Sequence, residues 1–270
     1  MKNDNIFIYD VNGIKVFYTP ELDGGGTSFG QMFVPILKRL KIKVDVCYEP
    51  FCGPSFIGFS LLANGICNRL VLSDINKKAI KFVKMTIKEN GLEGKVRCYV
   101  SNVLNGIPTS EKFDLAVANP PHFSENSIKG FNGPHTKIEL LKALDKNWDL
   151  HKRFYASITR YLNDSGKILF VENSQGSSPD VFIPMIKNSG LKYMDTIYPT
   201  LHDMHYAINL NLQNYKLILH KKKSLEKIFS FLPDQLFKAI LNAYLGAFGY
   251  NSTFICNLSK FYFILSQNKF

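Results

Sequence analysis

Asn119-Pro120-Pro121-His122 closes the apolar run Phe113–Ala118. Two consecutive prolines stop a strand and remove two backbone donors. They leave the Asn119 amide and the neighbouring carbonyls pointing off the strand's carboxyl end. Such acceptors suit a planar –NH2 group, which has two hydrogens to donate. A conjugated –NH2 is a poor nucleophile because its lone pair is delocalised. Accepting its hydrogens at Asn119 and at the Pro120 carbonyl pushes the nitrogen toward tetrahedral geometry and localises that pair. Pro121 completes the turn, and His122 adds a ring that can stack on a flat acceptor or take a proton near neutral pH. Phe123 follows with an apolar face. The plain alternative is a proline turn that closes a buried strand.

Other predicted strands also end in polar residues. The run Lys43–Glu49 leads into Glu49-Pro50-Phe51-Cys52-Gly53-Pro54-Ser55-Phe56-Ile57-Gly58. Small residues there let the backbone approach a ligand, and Glu49 can hold an ammonium through water. Asp74, in Leu72-Ser73-Asp74-Ile75-Asn76, suits the paired hydroxyls of a ribose, with Asn76 free to cap the next helix. Asn102, in Ser101-Asn102-Val103-Leu104, offers an amide oxygen. Glu172 and Asn173 end a later strand. Trp148, Asp149 and His151 stand near the start of the helix before it. These reach an acceptor pocket on one reading; on the other, Trp148 packs and Asp149 caps. A nicotinamide dinucleotide is a poor ligand here: no full GxGxxG is present, and Asn-Pro-Pro has no part in hydride transfer.

With these residues in place, the chain resembles the class I S-adenosylmethionine-dependent methyltransferases that carry Asn-Pro-Pro followed by an aromatic, the type acting on amide or nucleobase nitrogens. The resemblance covers about residues 40–220. It implies S-adenosyl-L-methionine as cofactor, held by Glu49, Phe51, Gly53, Asp74, Ile75, Asn102, Val103 and Asn119. It implies catalysis at Asn119, Pro120, Pro121 and His122, and acceptor binding by Phe123, Trp148, Asp149, Glu172 and Asn173, with no metal. The chain departs from the family at three points. Phe51 and Ser55 stand where glycine is usual, His122 where Tyr, Phe or Trp is usual, and Asn102 where an acid often contacts the adenine amino group. The acceptor implied is a nucleobase in RNA or DNA. A protein amide or a small nitrogenous metabolite is the alternative, and a cofactor-binding scaffold subunit is the non-enzyme reading.

The elements that must position these residues alternate. Asn12-Gly13 joins two runs, Ile6–Val11 and Ile14–Tyr18, as a hairpin. Asp23-Gly24-Gly25-Gly26-Thr27-Ser28-Phe29-Gly30 is a glycine-rich loop, read as a lid or a connector, before a helix from about Phe29 to Leu40. Strand and helix then alternate: helices over Phe56–Ala63, Asn76–Asn90, Lys137–Leu162 and Pro179–Asn188, and strands at Arg69–Ser73, Val96–Val100, Phe113–Ala118, Lys167–Val171, Leu191–Ile197 and about Tyr206–Leu219. Asn163–Gly166 reads as a turn. The pattern gives a doubly wound, mostly parallel α/β sheet. The resemblance adds seven strands and a terminal antiparallel hairpin. Residues 1–42 form the hairpin, loop and first helix, 43–220 the core, and 221–270 a C-terminal extension. In the extension, Leu225–Phe248 reads as an apolar helix, followed by the aromatic-rich Phe254–Ser266. It covers the core or forms a homodimer surface.

The 270 residues, 46% hydrophobic, can build one large domain. A net charge of +11 suits a polyanionic partner. The basic residues are nearly all Lys, however: the arginines are Arg39, Arg69, Arg97, Arg153 and Arg160. Dedicated phosphate surfaces favour the arginine fork. The five cysteines are scattered without metal spacing and read as reduced. No signal-like apolar region opens the sequence and no run of about 18 apolar residues occurs, so a cytoplasmic protein without a membrane span is expected.

Overall fold

A computed structural model describes residues 6–130, 140, 142–221 and 257–269. Strands β1 (Phe7–Val11) and β2 (Ile14–Tyr18) pair antiparallel. Asn12 and Gly13 take positive φ of 54° and 98°, the geometry such a two-residue hairpin turn requires. A 3-10 turn (Phe29–Met32) leads into α1 (Phe33–Arg39). The alternating portion comprises β3 (Val44–Glu49), α2 (Phe56–Ala63), β4 (Cys67–Asp74), α3 (Lys77–Glu89), β5 (Val96–Val100), β6 (Phe113–Ala118), α4 (Asp149–Ile158), β7 (Leu162–Asn173), α5 (Pro179–Asn188), β8 (Lys192–Ile197), α6 (Leu201–Lys221) and β9 (Phe261–Gln267).

Seven of these strands form one sheet in the order β5-β4-β3-β6-β7-β9-β8. From β5 to β7 every pair is parallel, and β9 runs antiparallel to both β7 and β8. Successive strand residues face opposite sides, so each strand feeds two cores. Cys47, Leu115, Leu169 and Phe263 face α2, α3, α6 and the hairpin. Val46, Tyr48, Ala116, Ile168, Phe170 and Ile264 face α4 and α5. Both faces are covered, as a parallel sheet requires.

Four sequence expectations need correction. Tyr206–Leu219 is not a strand but most of α6. Its alternation of apolar and polar residues imitates a strand, yet the buried residues Asp203, Met204, Ala207, Leu210 and Asn214 follow a helical stripe. The aromatic-rich tail is not a cover on the core: its segment Phe261–Gln267 is β9, seated inside the sheet between β7 and β8. The single helix expected over Lys137–Leu162 is broken: residues 140, 142 and 143 are helical, 144 and 145 are not, and a 3-10 turn (Lys146–Trp148) with Asn147 and Trp148 at positive φ leads into α4, with 137–139 and 141 outside the described residues. Leu162 and the Asn163–Gly166 turn belong to β7, as an irregularity opposite Phe113–Leu115. The helix expected over Leu225–Phe248 also lies outside the described residues. Among the described residues no helix is long and apolar enough to cross a membrane.

Candidate active site

Strand order reverses between β3 and β6, and a cleft opens there at the carboxyl ends of the strands. The cavity measures about 740 Å³, in the range that holds a nucleoside-sized ligand. Glu49 ends β3, Asp74 ends β4, Asn102 follows β5 and Asn119 follows β6, and all four line it. Phe51, Gly53, Ile75, Val103 and Pro121 line it as well.

The loop after β3 explains the irregular glycine motif. Phe51, Gly53 and Ser55 take φ of 53°, 51° and 67°. All three are left-handed, where glycine is free and other residues are strained by about 1–2 kcal/mol each. Phe51 is held by an edge contact to Phe154, and Ser55 by donating its hydroxyl to Glu49. Gly58 is obligatory for a different reason: a Cβ there would stand 2.6 Å from Glu49 Oε2 and 2.7 Å from Ser55 Oγ. Its N–H donates to Glu49 Oε2 at 2.9 Å. Burial pushes the Glu49 carboxyl up to about 8, against the opposing effect of the Ser55 and Gly58 donors.

Asp74 accepts Gly53 N–H at 2.8 Å and Asn76 N–H at 2.7 Å. Burial raises its pKa, and these two N–H donors work the other way. The carboxylate thus shapes the β3 loop and still has lone pairs on the cavity. Asn76 caps α3 with its own side chain, accepting Lys78 N–H at 2.9 Å. The Asn102 oxygen already accepts from Arg153 Nη1 at 3.0 Å, and Arg153 Nε in turn donates to Asp149 at 2.7 Å.

Asn119 is oriented without ambiguity. Its Nδ2 donates to Gly24 O at 2.7 Å, which only the amide nitrogen can do. Its Oδ1 is therefore the atom left over, buried and without a partner. An unpaired buried acceptor is costly unless something supplies a donor. Gly24 belongs to the glycine-rich loop, which Asp23 braces by accepting Gly25 N–H at 2.8 Å and the Thr27 hydroxyl. Lys142 Nζ donates to Asp23 O at 2.8 Å. The loop thus sits over Asn119, and Gly24 and Gly26 form part of the cavity wall.

The remaining sequence candidates do not line the cavity, Pro120 among them. His122 is 8% exposed and turned into the core, edge-on to Phe29 and Phe261, each 5.7 Å away between ring centroids. It therefore forms no open stacking platform in this structure. Phe123 is buried and bridges to Leu144. Trp148 packs edge-on against His151 and Phe182, in keeping with the packing alternative. Asp149 is exposed on α4 in its pair with Arg153. Asn173 accepts Gln175 N–H. Glu172 is fully buried beside His122 and His151. The sequence reading passed over Arg153, Lys142 and Leu150 as lining residues, and Asp145, whose carboxylate caps α4 by accepting Leu150 and His151 N–H. The i, i+4 spacing of Asp149 and Arg153 was the one readable sign.

The sheet order and cleft are those of the class I methyltransferases, and residues 12–131 match the family model of the methyltransferase small domain. The chain thus has the Rossmann-like fold of the class I methyltransferases, and the stretch similar to the methyltransferase small domain is 120 of its 270 residues. Ribosomal RNA small subunit methyltransferase C of Actinobacillus pleuropneumoniae serotype 3 is 39% identical over 166 residues, 62% of this chain and 43% of that protein. Its namesake in Haemophilus influenzae strain PittEE is 34% identical over 119 residues, 44% of this chain and 32% of that one. The chain spans less than half the length of these relatives. Among solved structures, an S-adenosylmethionine-dependent methyltransferase from Clostridium acetobutylicum is similar at TM-score 0.48 and 9% identity, over 89% of this chain and 90% of that one. A ribosomal protein L11 methylase from Lactobacillus delbrueckii is similar at TM-score 0.45 and 13% identity, over 63% and 72%.

Proposed function

We propose that this chain transfers a methyl group from S-adenosyl-L-methionine to a nitrogen of a nucleobase in RNA. The observation that carries the reading is Asn119: its Oδ1 is a buried, unpartnered acceptor, while its Nδ2 is pinned on Gly24 O. A donor N–H from the acceptor would satisfy that oxygen. The cofactor, when bound, supplies an electrophilic methyl on a sulfonium. The residues to hold it are Asp74 for the ribose hydroxyls, Glu49 for the ammonium, and Ile75 and Val103 beside the base. The work of the chain is alignment. Asn119 lines the cavity, and its Oδ1 takes a hydrogen of the acceptor amine. The nitrogen lone pair is thereby turned toward the methyl, and the proton leaves to water after transfer. The choice of RNA rests on the printed names of the relatives, which act on ribosomal RNA of the small subunit, together with the net charge of +11.

Incubation with methyl-labelled cofactor and separate pools of RNA, protein and small metabolites tests this reading. Label is expected in RNA, on nitrogen, and Asn119→Ala should lower turnover at least about 100-fold with cofactor affinity kept, because the contact matters in the transition state. Label in protein or metabolites, or a product methylated on carbon, oxygen or sulfur, would refute it.

A further inference from the structure

Four ionisable side chains from separate segments meet beneath the Asn-Pro-Pro turn. His151, on α4, is fully buried. Its Nδ1 lies 2.6 Å from Asp145 Oδ2 and its Nε2 lies 2.9 Å from Glu172 Oε1. Both nitrogens face carboxylates, so both carry hydrogen, and the ring is an imidazolium. Burial disfavours that charge, but Glu172 and Asp145 outweigh burial and push His151 up to about 9. Burial also works against the Asp145 carboxylate, yet His151 and the N–H groups of Leu150 and His151 hold it below the usual range. The second oxygen of Glu172 faces His122 Nδ1 at 3.4 Å. A carboxylate oxygen only accepts, so His122 donates from Nδ1, and its Nε2 is buried without a partner.

This arrangement is expensive as mere filling. Two carboxylates and an imidazolium lose their hydration, and an apolar set of the same volume would serve the core as well or better. It is no metal site either, because carboxylates occupy both His151 nitrogens. What it touches points to its task. His122 follows Pro121, which lines the cavity. Its carbonyl is gripped by the loop after β7: a Cβ on Gly176 would stand 2.1 Å from His122 O. On the cavity side, Gly24 O holds Asn119. The tetrapeptide is therefore clamped from both sides.

We propose that Asp145, His151 and Glu172 are positioning residues for the methyl transfer proposed above. Their carboxylate–imidazolium–carboxylate chain fixes the ring and tautomer of His122, and through it the Asn119-Pro120-Pro121 turn. The inference rests on that functional reading and assigns His122 to anchorage instead of stacking.

Nitrogen-15 NMR of histidine-labelled, full-length protein at pH 7.5 tests it. His122 should show a protonated Nδ1 and a bare Nε2, and His151 should show both nitrogens protonated. Asp145→Asn changes the end of the chain far from His122. It should alter the His122 nitrogen signals and lower kcat about 10–100-fold, the scale of a slightly misplaced reacting group, with cofactor Kd unchanged. Glu172→Gln should release His122 into a mixture of tautomers with a similar loss. The wild-type spectrum decides the tautomers should either variant fail to fold. A neutral His151, a His122 protonated on Nε2 alone, or an Asp145→Asn enzyme with unchanged His122 signals and kcat would overturn the chain. Coupled histidines in a protein that transfers no methyl group would overturn the assigned role together with the function. Uncoupled histidines in an active enzyme would overturn the chain alone.

Discussion

Cofactor binding should expel a proton from Glu49. The side chain is buried at the cavity wall, with Ser55 and Gly58 donating to one oxygen. Burial pushes it up to about 8 from an ordinary 4.5, with those donors opposing. At pH 7 it therefore holds about 0.9 of a proton, one pH unit below its midpoint. A cofactor ammonium brought against it favours the carboxylate. Full return to the ordinary value would release 3.5 units, a ceiling of about 5 kcal/mol at 1.36 kcal/mol per unit.

The assay is titration calorimetry of S-adenosyl-L-methionine at pH 7 in phosphate and in Tris, buffers of different ionisation heat. The difference in observed heat should correspond to release of about 0.9 proton, and affinity should rise nearly tenfold per unit between pH 6 and 7.5. Above that range the cofactor's own amino group begins to lose its charge, near 7.7–8.0. Glu49→Gln has no proton to give and should remove both effects. Buffer-independent heats for the wild-type protein would show that Glu49 is ionised before binding or never meets the ammonium. Equal release from Glu49→Gln would assign the proton to another group.

Gly58→Ala should destabilise the fold by about 1–3 kcal/mol in chemical denaturation, since its Cβ would stand 2.6 Å from Glu49 Oε2; an unchanged midpoint would contradict that. Asp74→Ala should weaken cofactor binding by about 1.5–3 kcal/mol and leave Gly53 and Asn76 N–H without their acceptor, so calorimetry should show a loss larger than in a variant of exposed Asn102. His151 carries a folded-state pKa of about 9, above the roughly 6.5 of an unfolded chain. Its stabilising contribution is complete below pH 6.5 and is lost as pH rises through 9. In a Glu49→Gln background, which removes another group titrating in that range, denaturant stability should fall between those limits by about 3 kcal/mol; a flat profile would remove the imidazolium. A chain ending at Lys260 lacks β9, the partner of both β7 and β8, and should be insoluble or molten by near-ultraviolet circular dichroism.

The site was legible wherever a strand simply ends. Glu49, Asp74, Asn102 and Asn119 each close or follow an apolar run, and parallel strands bring such ends to one edge. Long-range pairing was not legible. β9 lies far along the sequence from β7 and β8, and its composition resembles that of a surface helix or cover as much as a central strand. Tyr206–Leu219 alternates like a strand, and only the packing against α1 and the hairpin selects the helix. Asp145 and His151 are six residues apart, a spacing that marks no face of a helix. Asp145 reaches His151 because positive φ at Asn147 and Trp148 folds the intervening turn back. Nothing in the order of residue types announces that turn.

The glycine motif shows why residue identity alone undervalues this cleft. Phe51 and Ser55 stand where the family pattern has glycine, and they leave a cofactor-binding scaffold subunit open as the non-enzyme reading. The backbone answers that concern. Residues 51, 53 and 55 all hold the left-handed geometry that glycine adopts freely, so the path of the loop is kept although two glycines are absent. The strain is offset locally, by the Phe51–Phe154 contact and by the Ser55–Glu49 hydrogen bond. The second of these also ties the loop to the one carboxyl group whose proton the cofactor should displace. A loop drifting free of its task would relax toward ordinary φ values. Here the strained residues remain at the cavity wall, where stored strain most often serves binding.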